Sequence, residues 1–442
     1  MSTSPRLYFD HAATTPIRPC ALEAFAAAAA LPGNPAALHA SARRAKLALE
    51  QAREDLAAAL DCHPSEVVLT SGGTEADNLA VQGLFRARNA EGASSGSTSS
   101  SSVASPSGST SSFGATPSSG GALPDDGTSP GSVPRPRIVL TGIEHHAVLD
   151  TVDWLVAHAG AQAVTVPVDA EGIVDLAAWE AALAADPERT ALATLMWANN
   201  EVGAVQPVAE AARIAAAHGV PFHTDAVQAF GSLEVSFADS GAATLAVSGH
   251  KLGAPVGVGA LVVRRDVAPV PVLHGGGQER RLRSGTVSVA LAAAFAAAAT
   301  EAVATRAEEA ARLGELREKV LAVVEDHPGV SVTGPRDVDP ATGRTLPPGT
   351  RRLPGNVHLV VEDGTADALL FALDMAGVDS SSGSACTAGV AEPSHVVLAL
   401  GRHEADARAT GRLTLGHTTT AADVDALIAA LPAALTAAGG AR

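Results

Sequence analysis

Leu245-Ala-Val-Ser-Gly-His-Lys251-Leu-Gly-Ala-Pro255 passes from an apolar run, through a Ser-Gly-His turn, into a loop rich in Gly and Pro. Lys251 is one of only three lysines in 442 residues; Lys46 and Lys319 sit in charged helical patterns and read as solvated faces. A lysine at the end of a buried strand loses solvation, its pKa falls, and the neutral amine can form a Schiff base. Taken in isolation, the same residue is more simply a surface lysine in a loop. Its neighbours decide between the two readings.

Outward from this stretch the chain alternates with regularity. Short apolar strands are expected at 138–141, 163–166, 191–196, 221–225, 245–248 and 259–263, separated by helices that end near 158, 185 and 218. An earlier strand at 66–69 runs into Thr70-Ser-Gly-Gly-Thr-Glu75 and a helix to about Arg88. The alternation predicts an α/β protein with a mostly parallel, doubly wound sheet. Beyond 265 the pattern changes to a Gly-rich loop, a long helix over 287–326, and strands near 330–332, 356–361 and 411–415 among further helices. This is expected to be a smaller α+β domain made of 1–16 and 268–442, beside a large domain of 17–267. Residues 91–134 are almost all Ser, Gly, Thr, Pro and Ala, too apolar-poor to offset their ordering entropy, and read as a disordered insertion.

A net charge of −17 argues against direct nucleic-acid binding, because neutralising phosphates needs a basic surface. Three scattered cysteines, Cys20, Cys62 and Cys386, form no CxxC pair. Such sparse usage fits a reducing compartment, with no disulfide framework and no permanent metal site. No signal peptide is visible, and the alanine-rich run 289–300 is shorter than the roughly 20 residues a bilayer span needs. The expectation is a cytoplasmic protein with no membrane partner.

In open parallel sheets, ligands bind outside the carboxyl ends of the strands. The residues there are Ser71-Gly-Gly-Thr74, His145, Asn200, Asp225 with Gln228, and Ser248-Gly-His250-Lys251. These are the groups a pyridoxal 5'-phosphate site requires. Gly73 and Thr74 open a helix after a strand, so free backbone N–H groups face a phosphate, although many such turns merely make a loop. Asp225 could hold a pyridinium nitrogen protonated or simply cap the next helix. His145 could stack on a ring, shuttle a proton, or only start a helix.

In combination, Ser71-Gly-Gly-Thr-Glu-Ala-Asp-Asn78, Glu144-His-His-Ala-Val148, Asn199-Asn-Glu-Val-Gly203, His223-Thr-Asp-Ala-Val-Gln228, Ser248-Gly-His-Lys251, Arg283-Ser-Gly-Thr286 and Ser381-Ser-Gly-Ser-Ala-Cys-Thr387 resemble, in order, the cysteine desulfurases of class V aminotransferase fold. The resemblance runs from Tyr8 to about Thr420, broken by the Ser-rich insertion and a loop over 334–354. It implies the fold type I of pyridoxal-phosphate-dependent transferases. It further implies that Lys251 carries the cofactor. Gly73, Thr74, Ser248 and His250 would hold its phosphate, with Thr286 reaching the phosphate of a partner subunit in a homodimer. Asp225 would pair with the ring nitrogen, Gln228 with the ring hydroxyl, and His145 would stack on the ring. Asn200 and Arg412 would bind the substrate carboxylate, with Asn34 nearby.

Cys386 distinguishes among reactions of this fold. It lies among small polar neighbours, whereas Cys20 and Cys62 read as buried and structural. A mobile thiolate can attack sulfur. The implied reaction takes L-cysteine to L-alanine, with Lys251 removing the Cα proton, His145 as an acid, and Cys386 receiving the sulfur as a persulfide. The loop 383–392 resembles that of the iron–sulfur-assembly subgroup, which implies a sulfur-acceptor protein, either an iron–sulfur scaffold or a tRNA-thiolating enzyme, and allows Cys386 as a transient cluster ligand. Selenocysteine lyase and aminotransferase activity on the same fold, or a non-catalytic scaffold, are the competing readings. Gly73 in place of a common alanine and His146 in place of a common lysine are modest departures.

Overall fold

The computed structural model describes residues 6–90, 134–383 and 392–439. All of the insertion read as disordered except Pro134 lies outside these residues, as does Cys386.

The first part of the chain contains β1 (Leu7–Tyr8), α1 (Pro19–Ala29), α2 (Ala40–Ala59), β2 (Val67–Thr70) and α3 (Gly73–Ala90). The alternating part follows as β3 (Arg137–Thr141), α4 (His146–Ala159), β4 (Gln162–Val166), α5 (Leu176–Ala184), β5 (Thr190–Thr194), α6 (Val208–Ala217), β6 (Phe222–Asp225), α7 (Phe237–Ser240), β7 (Thr244–Ser248) and β8 (Gly259–Val263). Seven of these strands form one sheet in the order β2-β8-β7-β6-β5-β3-β4. Strands β3 to β7 pair in parallel, and β8 runs antiparallel between β2 and β7. The mostly parallel sheet expected from the alternation is therefore present. Strands β2, β5, β6, β7 and β8 are buried throughout, which is why they lack a polar alternation: helices cover both faces.

The rest of the chain comprises α8 (Val289–Asp326), β9 (Val330–Val332), β10 (Asn356–Val361), α9 (Ala366–Met375), β11 (Val378–Asp379), α10 (His395–Ala399), α11 (Glu404–Ala407), β12 (Thr410–Thr414) and α12 (Ala421–Ala438). Here β10 is the centre of an antiparallel sheet, between β12 and β9, while β1 pairs in parallel with β11. Helix α8 joins the two units. Its small residues Ala292, Ala298 and Ala299 lie in the core of the large sheet beneath α1 and α2. Its later residues Leu316, Val320, Leu321 and Val324 belong to the core around β10. At 38 residues, α8 is long and apolar enough by composition to cross a bilayer, as is α12. The run 289–300 is thus only the start of a much longer helix, and the apolar positions named here serve the two protein cores.

The Pro-, Gly- and Arg-rich loop of 334–354 is a strap across the junction. Arg352 is fully buried, and its guanidinium donates to the carbonyls of Thr333 at 2.7 Å, Asn356 at 3.1 Å and Pro335 at 3.2 Å. On the other side, Val205 N–H donates to Arg351 O and Leu353 N–H to Gly203 O. The strap thereby fastens the smaller unit to the turn that contains Asn199 and Asn200. Burial, and next the neighbouring Arg317, push the Arg352 pKa down to about 9. Arg352→Met keeps most of the volume but leaves these buried carbonyls without their donor, at about 1–3 kcal/mol for each unsatisfied group. A loss of at least about 3 kcal/mol in urea unfolding is expected; a loss below about 1 kcal/mol would show that the strap is dispensable.

Candidate active site

Strand β7 delivers Ser248 at its carboxyl end, and a short 3-10 turn, Gly249–Lys251, follows. This turn sends the Lys251 side chain into a cavity that also receives Gly73, Thr74, His145, Asn200, Asp225, Gln228, Ser248, His250 and Arg412. Residues from across the sequence thus meet at one edge of the parallel sheet. The Lys251 amine donates to Ala12 O at 2.5 Å and Ala13 O at 2.8 Å, while Gln228 Nε2 donates to Ala12 O at 3.0 Å. Burial, and secondarily the Arg412 charge, lower the Lys251 pKa to about 8 despite Asp10 and Asp225. An amine with that pKa is about one-tenth neutral at pH 7, roughly 300-fold more than at the ordinary value of 10.5, so a nucleophilic fraction is available.

The floor of the cavity suits a phosphate. Helix α3 starts at Gly73 and points its free N–H groups and positive dipole end at the cavity. A side chain at Gly73 would bring its Cβ within 2.7 Å of Val227 Cγ2, so this approach needs glycine or a shift of Val227. Gly259, opening β8, lies so near Gly72 that a Cβ there would come within 2.7 Å of the Gly72 backbone. Ser248 Oγ is buried and makes no hydrogen bond within the described protein, although it stands beside this turn. A hydroxyl in that position calls for an acceptor, which a phosphate oxygen supplies.

Above this floor, Asp225 ends β6, with its Oδ1 accepting from Val227 N–H at 2.8 Å. Burial raises its pKa to about 6, against the pull of that N–H and of Lys251. A cationic ring nitrogen beside it would bring that pKa down again. His145 caps α4: Nδ1 accepts from Ala147 N–H at 3.1 Å, which assigns the proton of the neutral ring to Nε2. The ring is open to the cavity, yet its surroundings and the nearby Lys251 lower its pKa to about 4. His145 is therefore a neutral imidazole. Burial likewise lowers His250 to about 4.

Arg412, on β12, is nearly buried. It donates to Asn200 O at 2.9 Å and to Asp10 Oδ1 at 3.0 Å, while its Nε is buried without a partner among the described residues. A guanidinium with unused donor capacity in a cavity matches a small carboxylate. Asn34 and Thr286 stand elsewhere in the chain, exposed and lining a different cavity together with Gln278 and Arg280. Within one chain they do not meet Lys251. Cys20 and Cys62 are raised by burial to about 11 and about 12, so neither favours the thiolate.

Several groups at the site carry no strong signal in the sequence. Asp10 balances Arg412, the carbonyls of Ala12 and Ala13 hold the lysine, and Asp77 lies buried one turn into α3, 3.2 Å from His223 Nε2. Glu201, Ser381 and His395 also line the cavity. A helical spacing from Thr74 points to Asp77, but nothing local marks a carbonyl of an Ala-Ala pair.

The class-V aminotransferase profile matches residues 7–94 and 127–427. An IscS-like cysteine desulfurase of Mycobacterium tuberculosis is 44% identical over 98% of this chain and 100% of its own length. The cysteine desulfurase NifS of Azotobacter vinelandii is 34% identical over 90% of this chain and 85% of its own. Among solved structures, a NifS-like protein superposes with a TM-score of 0.78 at 28% identity, covering 98% of this chain and 99% of that one. SspA in complex with cysteine gives 0.69 at 30%, covering 92% and 98%. The chain belongs to the class-V aminotransferase family, and these two relatives are named as cysteine desulfurases.

Amine-selective acylation, mapped by mass spectrometry, should label Lys251 in the cofactor-free protein with a midpoint near pH 8. Labelling rises with pH because only the deprotonated amine reacts. A midpoint near the ordinary value of 10.5 would show that the cavity does not desolvate the amine.

Proposed function

We infer that the protein is a cysteine desulfurase that takes sulfur from L-cysteine with pyridoxal 5'-phosphate bound at Lys251. The observation that carries this reading is the meeting of a low-pKa lysine, a buried aspartate, an orphan serine hydroxyl and a helix N-terminus in one cavity. Relatives along the full length of the chain bear the same activity in their names.

Gly73, Thr74, Ser248 and His250 would hold the phosphate, Asp225 the ring nitrogen, Gln228 the ring hydroxyl, and His145 a ring face. Bound there, the cofactor supplies an electron sink for charge leaving the substrate Cα. Arg412 and Asn200 orient the substrate carboxylate. Lys251 takes the Cα proton, its amine being near neutrality. Neutral His145, with its proton on Nε2, donates a hydrogen bond at the reacting centre and becomes an acid there once it has taken up a proton. Cys386 is three residues beyond Gly383, which lines the cavity, so covalent geometry limits its Cα to about 10 Å from that of Gly383. Its thiolate attacks the substrate Sγ: an S–S bond forms, the substrate Cβ–S bond breaks, and its electron pair is protonated at Cβ. The net change is L-cysteine and a Cys386 thiol to L-alanine and a Cys386 persulfide.

The exposed positions of Asn34 and Thr286, away from Lys251 in their own chain, support a homodimer in which they serve the partner's cavity. The persulfide would pass to a sulfur-acceptor protein in iron–sulfur assembly or tRNA thiolation, in a cytoplasmic, reducing setting that keeps Cys386 a thiol.

The test is alanine and sulfide release from L-cysteine with a reductant. Cys386→Ser should lose at least about 100-fold in sulfide turnover, a barrier increase of roughly 2.7 kcal/mol, yet keep the visible absorption of the lysine-bound cofactor. Lys251→Ala should lose both. Undiminished turnover in Cys386→Ser would overturn the persulfide route, and an unchanged visible band in Lys251→Ala would overturn the cofactor assignment.

A further inference from the structure

The segment expected to deliver sulfur leaves the described structure after Gly383 and returns at Glu392. Both of its flanks meet one side chain. Glu201 is 1% exposed, and its Oε2 accepts from Ser394 Oγ at 2.5 Å. Ser394 is fully buried; its N–H donates to Ala407 O, and its hydroxyl also accepts from Val397 N–H at 3.1 Å, capping α10. On the other flank, Gly383 packs on the same glutamate. A Cβ at Gly383 would stand 3.4 Å from Glu201 Cγ and 3.4 Å from His358 Nε2, a buried atom with no partner among the described residues. Gly383 has φ +88°, in the left-handed region where a side chain is strained. Two residues earlier, Ser381 exchanges backbone hydrogen bonds with Arg412.

Glu201 is itself fixed by its backbone. Its N–H donates to Asn199 Oδ1 at 2.9 Å, and its carbonyl accepts from Asn356 Nδ2 at 2.8 Å. Its chain neighbour is Asn200, whose carbonyl holds Arg412. One short turn therefore joins the two groups assigned to the substrate carboxylate and both flanks of the cysteine-bearing segment. A hydroxyl donating to a buried carboxylate is a strong contact, because neither group finds water when the other is removed.

We propose that Glu201 is a positioning residue for sulfur transfer, its carboxylate bonded to Ser394 and its stem packed on Gly383 so that both ends of the Cys386 segment are set relative to the bound substrate. This deepens the cysteine desulfurase reading and rests on it. Glu201 acts through Cys386 and the segment ends, with no bond made or broken at its own atoms. Binding of cysteine to the cofactor needs Arg412, Asn200 and Lys251, whereas sulfur abstraction needs in addition the placement that Glu201 imposes.

The test separates these two stages in the cofactor-loaded enzyme. Ser394→Ala, Ser394→Thr, Glu201→Ala and Gly383→Ala are mixed with L-cysteine. The change in the visible spectrum reports substrate binding, and mass spectrometry of Cys386 at single turnover reports persulfide formation. Ser394→Ala, Glu201→Ala and Gly383→Ala should form persulfide at least tenfold more slowly, with the half-saturating cysteine concentration of the spectral change moved less than twofold. Ser394→Thr, which keeps the hydroxyl, should restore most of the rate. Unchanged persulfide formation in Ser394→Ala and Glu201→Ala would overturn the proposal. Equal loss of binding and of sulfur transfer would also overturn it, by showing that Glu201 only holds the cavity together. Wild-type enzyme that binds cysteine but forms no Cys386 persulfide would instead bring down the underlying desulfurase reading.

Discussion

Desolvation of one amine organises this protein. Lys251 lies where a buried strand ends, and its ammonium form is opposed both by burial and by the Arg412 guanidinium. The carbonyls of Ala12 and Ala13 accept its hydrogens without adding a full charge, so the amine is held in place and still tuned to about 8. A carboxylate in direct contact would hold it more firmly and favour the ammonium. Asp225 and Asp10 act from farther away, which leaves them partial counterweights. His145 and His250, whose pKa values fall partly because of the same amine, remain neutral beside it.

The site also depends on two units staying in register. Gly73, Asp225 and Lys251 come from the large sheet, Arg412 from the smaller one, and Ala12 from the N-terminal segment. Three devices span the junction: helix α8 runs from one core into the other, the Arg352 strap grips the turn at 199–205, and Arg412 bonds to Asn200 and Asp10. Two further buried carboxyl groups lie on the large-sheet side. Asp77 and Glu144 are fully enclosed, and burial raises the pKa of both, Glu144 to about 8, with Asp225 adding to both shifts.

Much of this was legible from residue order. Strand positions followed from short apolar runs, and strand ends from the polar residues that interrupt them. Rules for parallel sheets then turned those ends into a list of site residues, and Lys251, Asp225, Gln228, His145 and Ser248 do share a cavity, together with Arg412, which the family resemblance alone had named. Other features were hidden for identifiable reasons. Asp10, Ala12 and Ala13 reach the site because β1 pairs with β11 some 370 residues away, and contacts of that separation leave no local pattern. Glu201 carries no sequence signal beyond its place in the motif 199–203, since its link to Ser394 spans 193 positions. The loop at 334–354 read as irregular because its order comes from a buried arginine bonded to carbonyls.

The sequence by itself placed the candidate groups, a lysine, an aspartate, a histidine and a helix N-terminus, at strand ends, while the family resemblance supplied their roles. It could do so because each is a local property of residue type and strand–helix periodicity. Only the tertiary structure decided how those groups are tuned and joined. The lowered lysine pKa, the neutral histidine tautomer, the orphan serine hydroxyl and the common anchor at Glu201 all depend on burial and on contacts between distant segments. Desolvation and hydrogen-bond geometry arise only when those segments pack.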